Sequence, residues 1–488
     1  MKKIIALMAV AAAVSAGFAQ YRAVDRQAGM MAEGRPFLTD AARYNSYDLA
    51  GSPLGLFEIG PASRLNAAAG YRYYGLGDES GHYISGQTLR MGMPGRAFFE
   101  VFYGPDVLKN TSDSSNAVGL TLHRFGLTLA SQATGGFFRS SIRADGYIGT
   151  QEWDKGDSGR VIMGFEALRL DMGSQVHPWV RIGFFFNLSA RIDTLYTPDG
   201  NLREDRSAHM NLPEFGGNVD FGGEDVPVRS NLSFTYAMSR FVYTSKGLSS
   251  TIPPIVDAQG NANTILNDSL RLTWLTQGEI PVAEGYVVKP AFLFGISSNT
   301  GKMHMPHPEN DPFQPRRHID SLNYTLSGTY FGGGAGFRVG RYADLHAEYT
   351  AAVMSLNCGK GYRPQPAVKS RTLHHTSFGL SAPLHNYFDM PLSLTPRIAY
   401  FISGSAFATG AVHSDLDPLN AYPGKSKWPL YSPQVFLEGF ERTSGFTFGI
   451  DGSALEDMLS TSFWMTFLSK DTVKKGGLEL GLSVGFTM

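Results

Sequence analysis

The chain has 488 residues, of which 43% are hydrophobic and 17% charged, and its formal net charge is -1. That balance gives no whole-chain attraction toward nucleic acid or anionic lipid, and nucleic-acid binding is set aside. The sole cysteine, Cys358, excludes a disulfide within the chain and, far from any cleavage site, a lipid anchor.

Residues 1–19 have the form of a secretion signal. Lys2 and Lys3 give the basic start, Ile4 to Val14 the apolar stretch, and Gly17 and Ala19 the small residues before a cut ahead of Gln20. No apolar run of helix-spanning length follows, which excludes an ordinary helical crossing and leaves either an exported soluble protein or a membrane barrel. Gly 56, Phe 33 and Tyr 22 favour the barrel: pleated strands with an aromatic outer girdle and small residues facing inward.

Residues 20–62 do not alternate. They mix Arg22, Asp25, Arg26, Arg43 and Asp48 with Met30, Met31, Leu38 and Leu49, and are expected to form a periplasmic extension or a small plug, with room for short helices.

The β-barrel is expected over residues 63–488. From Arg64 onward, Leu65, Ala67, Ala69, Tyr71 and Tyr73 oppose Arg64, Asn66, Ala68, Gly70 and Arg72. Val180, Ile182, Phe184, Phe186, Leu188, Ala190 and Ile192 oppose Arg181, Gly183, Asn187, Ser189 and Arg191, with Phe185 the one bulky apolar residue on that polar side. Leu232 to Ser239 and Leu270 to Trp274 repeat the pattern. Tight links are expected at Met93 to Arg96 and near Thr134 to Gly136, Gly173 to His177, Glu279 to Gly285, Gly340 to Ala343 and Pro383 to Met390. Long polar links are expected over Gly104 to Leu122, Asp193 to Pro213, Thr244 to Asn267, Asn299 to Asn323, Ser355 to Arg371 and Ser405 to Tyr431. Short and long links alternate, as periplasmic turns and extracellular loops do. The even-number rule is met by adding a strand near Phe215 to Gly222 and joining Gln434 to Ile450 into one, giving an all-β transmembrane antiparallel barrel of about 18 strands, in a range of about 14 to 18.

Leu478, Leu480, Leu482, Val484, Phe486 and Met488 alternate with Glu479, Gly481, Ser483, Gly485 and Thr487 to the end of the chain. With the export signal, this final strand resembles that of a Gram-negative outer-membrane β-barrel, which ends in an apolar or aromatic residue and helps recruit the insertion machinery. That resemblance implies the outer membrane as location and outer-membrane lipid, the insertion machinery and small solutes as partners. Asn45 to Leu56 is similar in residue type to the Asn-Pro-Ala-Gly-Leu-like motif of the long-chain fatty-acid transporter family and its secretion-associated relatives, although the order is scrambled and no Asn-Pro-Ala is intact.

The polar phases hold more arginine than acid. Arg64, Arg72, Arg90, Arg96, Arg124, Arg139, Arg143, Arg181, Arg191, Arg271 and Arg338 stand against Glu100, Asp145, Glu348 and Glu479. These are the expected lumen-lining residues: either they pair with plug and loop carboxylates and stiffen the wall, or they give the lumen a potential that favours anions. Met303 to Asp311, with His318 and Asp320, contains soft and imidazole ligands, but its two prolines and the lack of a metal-binding frame make it a solvated loop, and no metal or cofactor is expected. His374 and His375 are adjacent on a strand and must face opposite ways. No Walker or zincin motif occurs, so an enzyme is not expected.

The resulting expectation is a barrel for passive passage of small polar or anionic solutes. Its rivals are a transporter of hydrophobic compounds, a closed structural, adhesion or secretion-associated scaffold, and a soluble secreted β protein. Oligomeric state and solute identity are not encoded in any motif.

Overall fold

Period-two alternation requires extended backbone with opposed faces, and strands whose outer face is apolar are stable in lipid only if every backbone group is paired. A computed structural model describes residues 34–36, 38–39, 65–76, 79–83, 87–93, 97–110, 119–132, 138–153, 158–196, 202–222, 226–245, 263–304, 322–359, 369–385, 392–403, 443–455, 458–470 and 473–487. Among these, strand segments run β1 (Leu65–Leu76), β2 (Glu79–Tyr83), β3 (Gln87–Met93), β4 (Ala97–Asn110), β5 (Gly119–Gln132), β6 (Phe138–Trp153), β7 (Ser158–His177), β8 (Val180–Tyr196), β9 (Leu202–Phe221) and β10 (Val228–Ser245). They continue as β11 (Asn263–Gly278), β12 (Ile280–Ala283), β13 (Tyr286–His304), β14 (Leu322–Val339), β15 (Ala343–Cys358), β16 (Ser370–Ser381), β17 (Ser393–Ser403), β18 (Thr443–Ala454), β19 (Leu459–Lys470) and β20 (Val473–Thr487).

All twenty belong to one antiparallel sheet, and β20 pairs with β1 from Asn66↔Thr487 to Leu76↔Gly477, which closes it into a barrel without a free edge. Two wall positions are each shared by two segments. β2 pairs with the upper parts of β1 and β4 while β3 pairs with their lower parts, so the two form one interrupted strand. β12 likewise extends β11 along β13. Twenty segments less two leave eighteen positions around the described wall.

The outer face is apolar: Ile142 is 56% exposed, Phe184 53% and Phe378 54%, alternating with inward neighbours that are largely covered. In lipid such side chains are buried, not wet. Large side chains lie across glycines of the adjacent strand. The Phe185 ring would sit 2.7 Å from a Cβ placed on Gly216, and Trp464 covers Gly481 in the same way. At one end, Gly285 (φ +78) and Gly340 (φ +56) close tight turns in the left-handed region that glycine favours.

Several expected links are strand instead. Gly173 to His177 belongs to β7, Glu279 to Gly285 contains β12, and Asp193 to Pro213 is mostly β8 and β9. The short segment near Phe215 is the end of a 20-residue strand. The cause is physical: where strands project past the apolar band, the outer face need not be apolar, so alternation disappears while backbone pairing continues. The turns at Met93 to Arg96 and Thr134 to Gly136, and most of Ser405 to Tyr431, lie outside the described residues. So does the expected strand portion before Thr443.

Candidate functional site: the inner wall

Strand parity sends one set of side chains into the lumen, and cross-strand register arranges them in rows. One row runs Arg90, Glu100, Thr128, Arg143, Arg169, Asn187 and Glu214 across β3 to β9. The next row toward the β1 start holds Ser141, Asp171, Phe185 and Gly216. Arg143 pairs with Asp145, and Arg169 Nε lies 2.7 Å from Asp171 Oδ1 while its guanidinium sits 4.0 Å over the Phe185 ring. The apolar exception on the polar face is therefore a stacking surface for an arginine. Asn187 donates to Glu214 at 3.3 Å, and Asn231 donates to Asp220.

The expected lumen residues fall as follows. Glu100, Arg124, Arg139, Arg143, Asp145, Arg181, Arg271, Arg338, Glu348 and Glu479 occupy inward positions, and Arg338 reaches Asp344 at 3.3 Å. Arg72, Arg90 and Arg191 are placed by register alone, opposite Gly481, Glu100 and Gly164. Arg64 and Arg96 lie outside the described residues. Sequence phase missed Arg169, Arg229, Lys289 and Arg397 among the cations, and Asp171, Glu214, Asp220, Asp344 and Asp451 among the acids. Arg169 and Asp171 sit close to the β7 irregularity between Phe165 and Leu168, Glu214 and Asp220 flank the glycines Gly216 and Gly217, and Lys289 and Arg397 have apolar inward neighbours in Ala291 and Ala399. With these additions the inward charges named here are thirteen cations and nine acids over the described wall, so a net positive charge persists while several of the charges are paired.

The wall has two unlike sectors. On β4 to β9, the inward side chains of Arg124, Thr128, Arg139, Tyr147, Gln175, Arg181 and Glu214 remain partly exposed, whereas those of Ser141, Asp145, Arg169, Asp171, Asn187 and Asn218 are buried. On β14 to β20 the inward residues are covered: Leu326 is 1% exposed, Glu348 2%, His375 1% and Phe401, Thr447, Thr466 and Glu479 0%. This second sector is also less polar than alternation predicted. Leu326, Met354, Leu356, Leu373, Phe401, Trp464 and Leu468 all face inward and are buried.

Part of that cover comes from residues 34–39. Leu38 N and Thr39 N donate to Glu348 Oε1 at 2.9 and 2.8 Å, and Thr39 Oγ1 donates to the same oxygen at 2.9 Å. Gln277 Nε2 donates to the Leu38 carbonyl, and the Leu38 side chain packs with Leu275, Ala291 and Leu293. Arg35 reaches Asp451 at 2.6 Å and Ser462 at 3.0 Å, and Arg397 pairs with Asp451 from the wall.

His374 and His375 face opposite ways, as adjacency on a strand requires: His374 bonds Tyr349 at 2.8 Å on the outer face, while His375 is buried inward. His304 ends β13, and residues 305–321 with the other loop ligands lie outside the described residues. Among the described residues no group of three or more His, Cys, Asp or Glu is placed to hold a metal.

A closed antiparallel barrel with an apolar exterior and a polar, partly exposed inner wall is the architecture of an outer-membrane protein. No family model matches the chain, and no curated protein matches it, so the similarity of Asn45 to Leu56 to fatty-acid transporters gains no support; those residues are also outside the described set. Among solved structures, the siderophore receptor PirA from Pseudomonas aeruginosa aligns at 9% identity and TM-score 0.42 over 87% of this chain and 81% of its own. OccK3 from Pseudomonas aeruginosa aligns at 11% and 0.38 over 89% and 97%, and OccAB3 from Acinetobacter baumannii at 10% and 0.36 over 88% and 99%. These are likenesses in barrel architecture at low superposition scores, and the functional reading below rests on the wall itself.

Proposed function

We propose that this barrel passes small polar solutes along the β4 to β9 side of its lumen. The observation that carries the reading is the uneven cover of the inner wall: Arg124, Arg139, Arg181 and Glu214 stay partly exposed on one side, while most inward side chains of the opposite side are buried. A barrel of about 18 strands is wide enough for an aqueous channel if it is not filled. The net positive inner wall, partly cancelled by ion pairs, supports passage of polar and anionic solutes with a modest preference for anions, because paired charges cancel at the distance of a permeating ion. Proteoliposome swelling tests this: uncharged sugars and small carboxylates should enter faster than into protein-free vesicles, with modest discrimination between them. The buried β14 to β20 face favours a second reading, a closed scaffold, and absence of swelling with every solute would select it.

A further inference from the structure

We propose that the inner face of β11 to β19 is a binding site for a short bent peptide segment, filled in cis by residues 34–39. The contacts at this face recognise main chain as such. One carboxylate oxygen of Glu348 takes two successive backbone N–H groups, and the Gln277 amide takes the carbonyl of the first of those residues. Side chains are selected at the two ends. Asp451 and Ser462 receive the guanidinium of Arg35, and Leu275, Ala291 and Leu293 enclose Leu38 three residues later.

The geometry is that of a bent segment: Gly34 turns at φ +71, and the bend at Leu38 and Thr39 lets their two N–H groups converge on one oxygen. From β18, which carries Asp451, to β15, which carries Glu348, is three strand spacings, about 14 Å, bridged by the Arg35 side chain reaching one way and the Leu38 backbone the other. The wall is also shaped for close approach of a backbone. A Cβ on Gly334 would meet Thr39 Cγ2 at 3.0 Å and Leu38 Cβ at 3.4 Å, and Gly34, at φ +71, lies against Thr447 and Ala399. Arg397 holds Asp451 from the wall side, so the carboxylate that receives the incoming cation is positioned by the barrel itself. Pre-set partners of this kind lower the cost of binding a flexible ligand. Nothing in the set is peculiar to a covalently attached segment. The ligand class is therefore a short peptide that can bend at the site, with a basic residue three positions before an aliphatic one, and residues 34–39 occupy the site as a tethered competitor.

The test uses a fluorescent peptide, Gly-Arg-Pro-Phe-Leu-Thr, and fluorescence anisotropy with the refolded barrel lacking residues 20–39. Saturable binding is expected, about tenfold or more weaker to the full-length chain because the tethered segment competes. It should weaken about tenfold or more when Glu348→Leu removes the carboxylate acceptor, and similarly for peptides carrying Glu in place of the arginine or Asp in place of the leucine. If the shortened chain does not refold, a full-length Arg35→Glu/Leu38→Asp variant loosens the tethered segment and takes its place. Equal binding to a scrambled peptide, equal binding with Glu348→Leu, or no saturable binding overturns the proposal. Anisotropy needs no ion flow, so this result and that of the solute reading fail independently.

Discussion

Ser233 and Phe234 are neighbours on β10 whose side chains face lumen and lipid, and they offer a matched pair for the membrane assignment. Phe234 stands six residues above the start of β10 at Val228. At about 3.3 Å per residue and a tilt of about 40° that is about 15 Å of height, near the middle of an apolar band about 25 Å tall. Phe234→Arg therefore places a guanidinium at the midplane, costing about 2 to 4 kcal/mol. At 1.4 kcal/mol per factor of ten this is about 30-fold to 700-fold in the folding equilibrium. The substitution also strips the ring that lies over Gly217. Ser233→Arg points instead between Asn218 and Thr273, in a polar surround, and should cost less than about 1 kcal/mol. Urea titration of both variants folded into vesicles reads the difference. Equal stabilities would refute the assignment of faces, and with it the membrane barrel.

Deletion of residues 473–488 removes the strand that bonds both β19 and β1, leaving two open edges in lipid; outer-membrane fractions should contain little assembled protein, and normal levels would argue against closure through β20. Gly216→Val drives a side chain into the Phe185 ring and the Phe234 carbonyl and should cost about 1 to 3 kcal/mol in the same urea assay, whereas Gly333→Ala, whose nearest neighbour would be 3.7 Å away, should be close to neutral. In planar bilayers under a salt gradient, the wild type should show modest anion selectivity, and Arg143→Glu, which removes the guanidinium paired with Asp145 and adds a second carboxylate, should shift it toward cations. Cation selectivity in the wild type would contradict the net positive inner wall.

The barrel was legible because lipid enforces a regular code: β8 and β10 alternate cleanly where both sides of the wall have distinct solvents. Legibility fell where that contrast was lost. β19, with Phe463, Met465 and Phe467 outside and Trp464 and Leu468 inside, is apolar on both faces because its inner face is covered. The upper part of β9 has no apolar outer face, since strand pairing there extends beyond the bilayer. In the site, Arg143 and Arg181 could be phased from their own strands, but Asp171, Asp344 and Asp451 became visible as arginine partners only through cross-strand register and ion-pair geometry. The docking of Arg35 and Leu38 joins residues more than 300 positions apart from their partners Asp451 and Glu348. No local pattern carries such a contact.

The path along β4 to β9 is tested most directly by thiol access to the lumen. In a Cys358→Ser background, Thr128→Cys presents a thiol on the partly exposed sector, and Thr447→Cys presents one at a position that is fully buried beside Gly34. A charged, membrane-impermeant thiol reagent added during single-channel recording should reduce the current through Thr128→Cys within minutes and leave Thr447→Cys unchanged. Block of the Thr447→Cys channel with Thr128→Cys unaffected would place the path on the opposite wall and contradict the account.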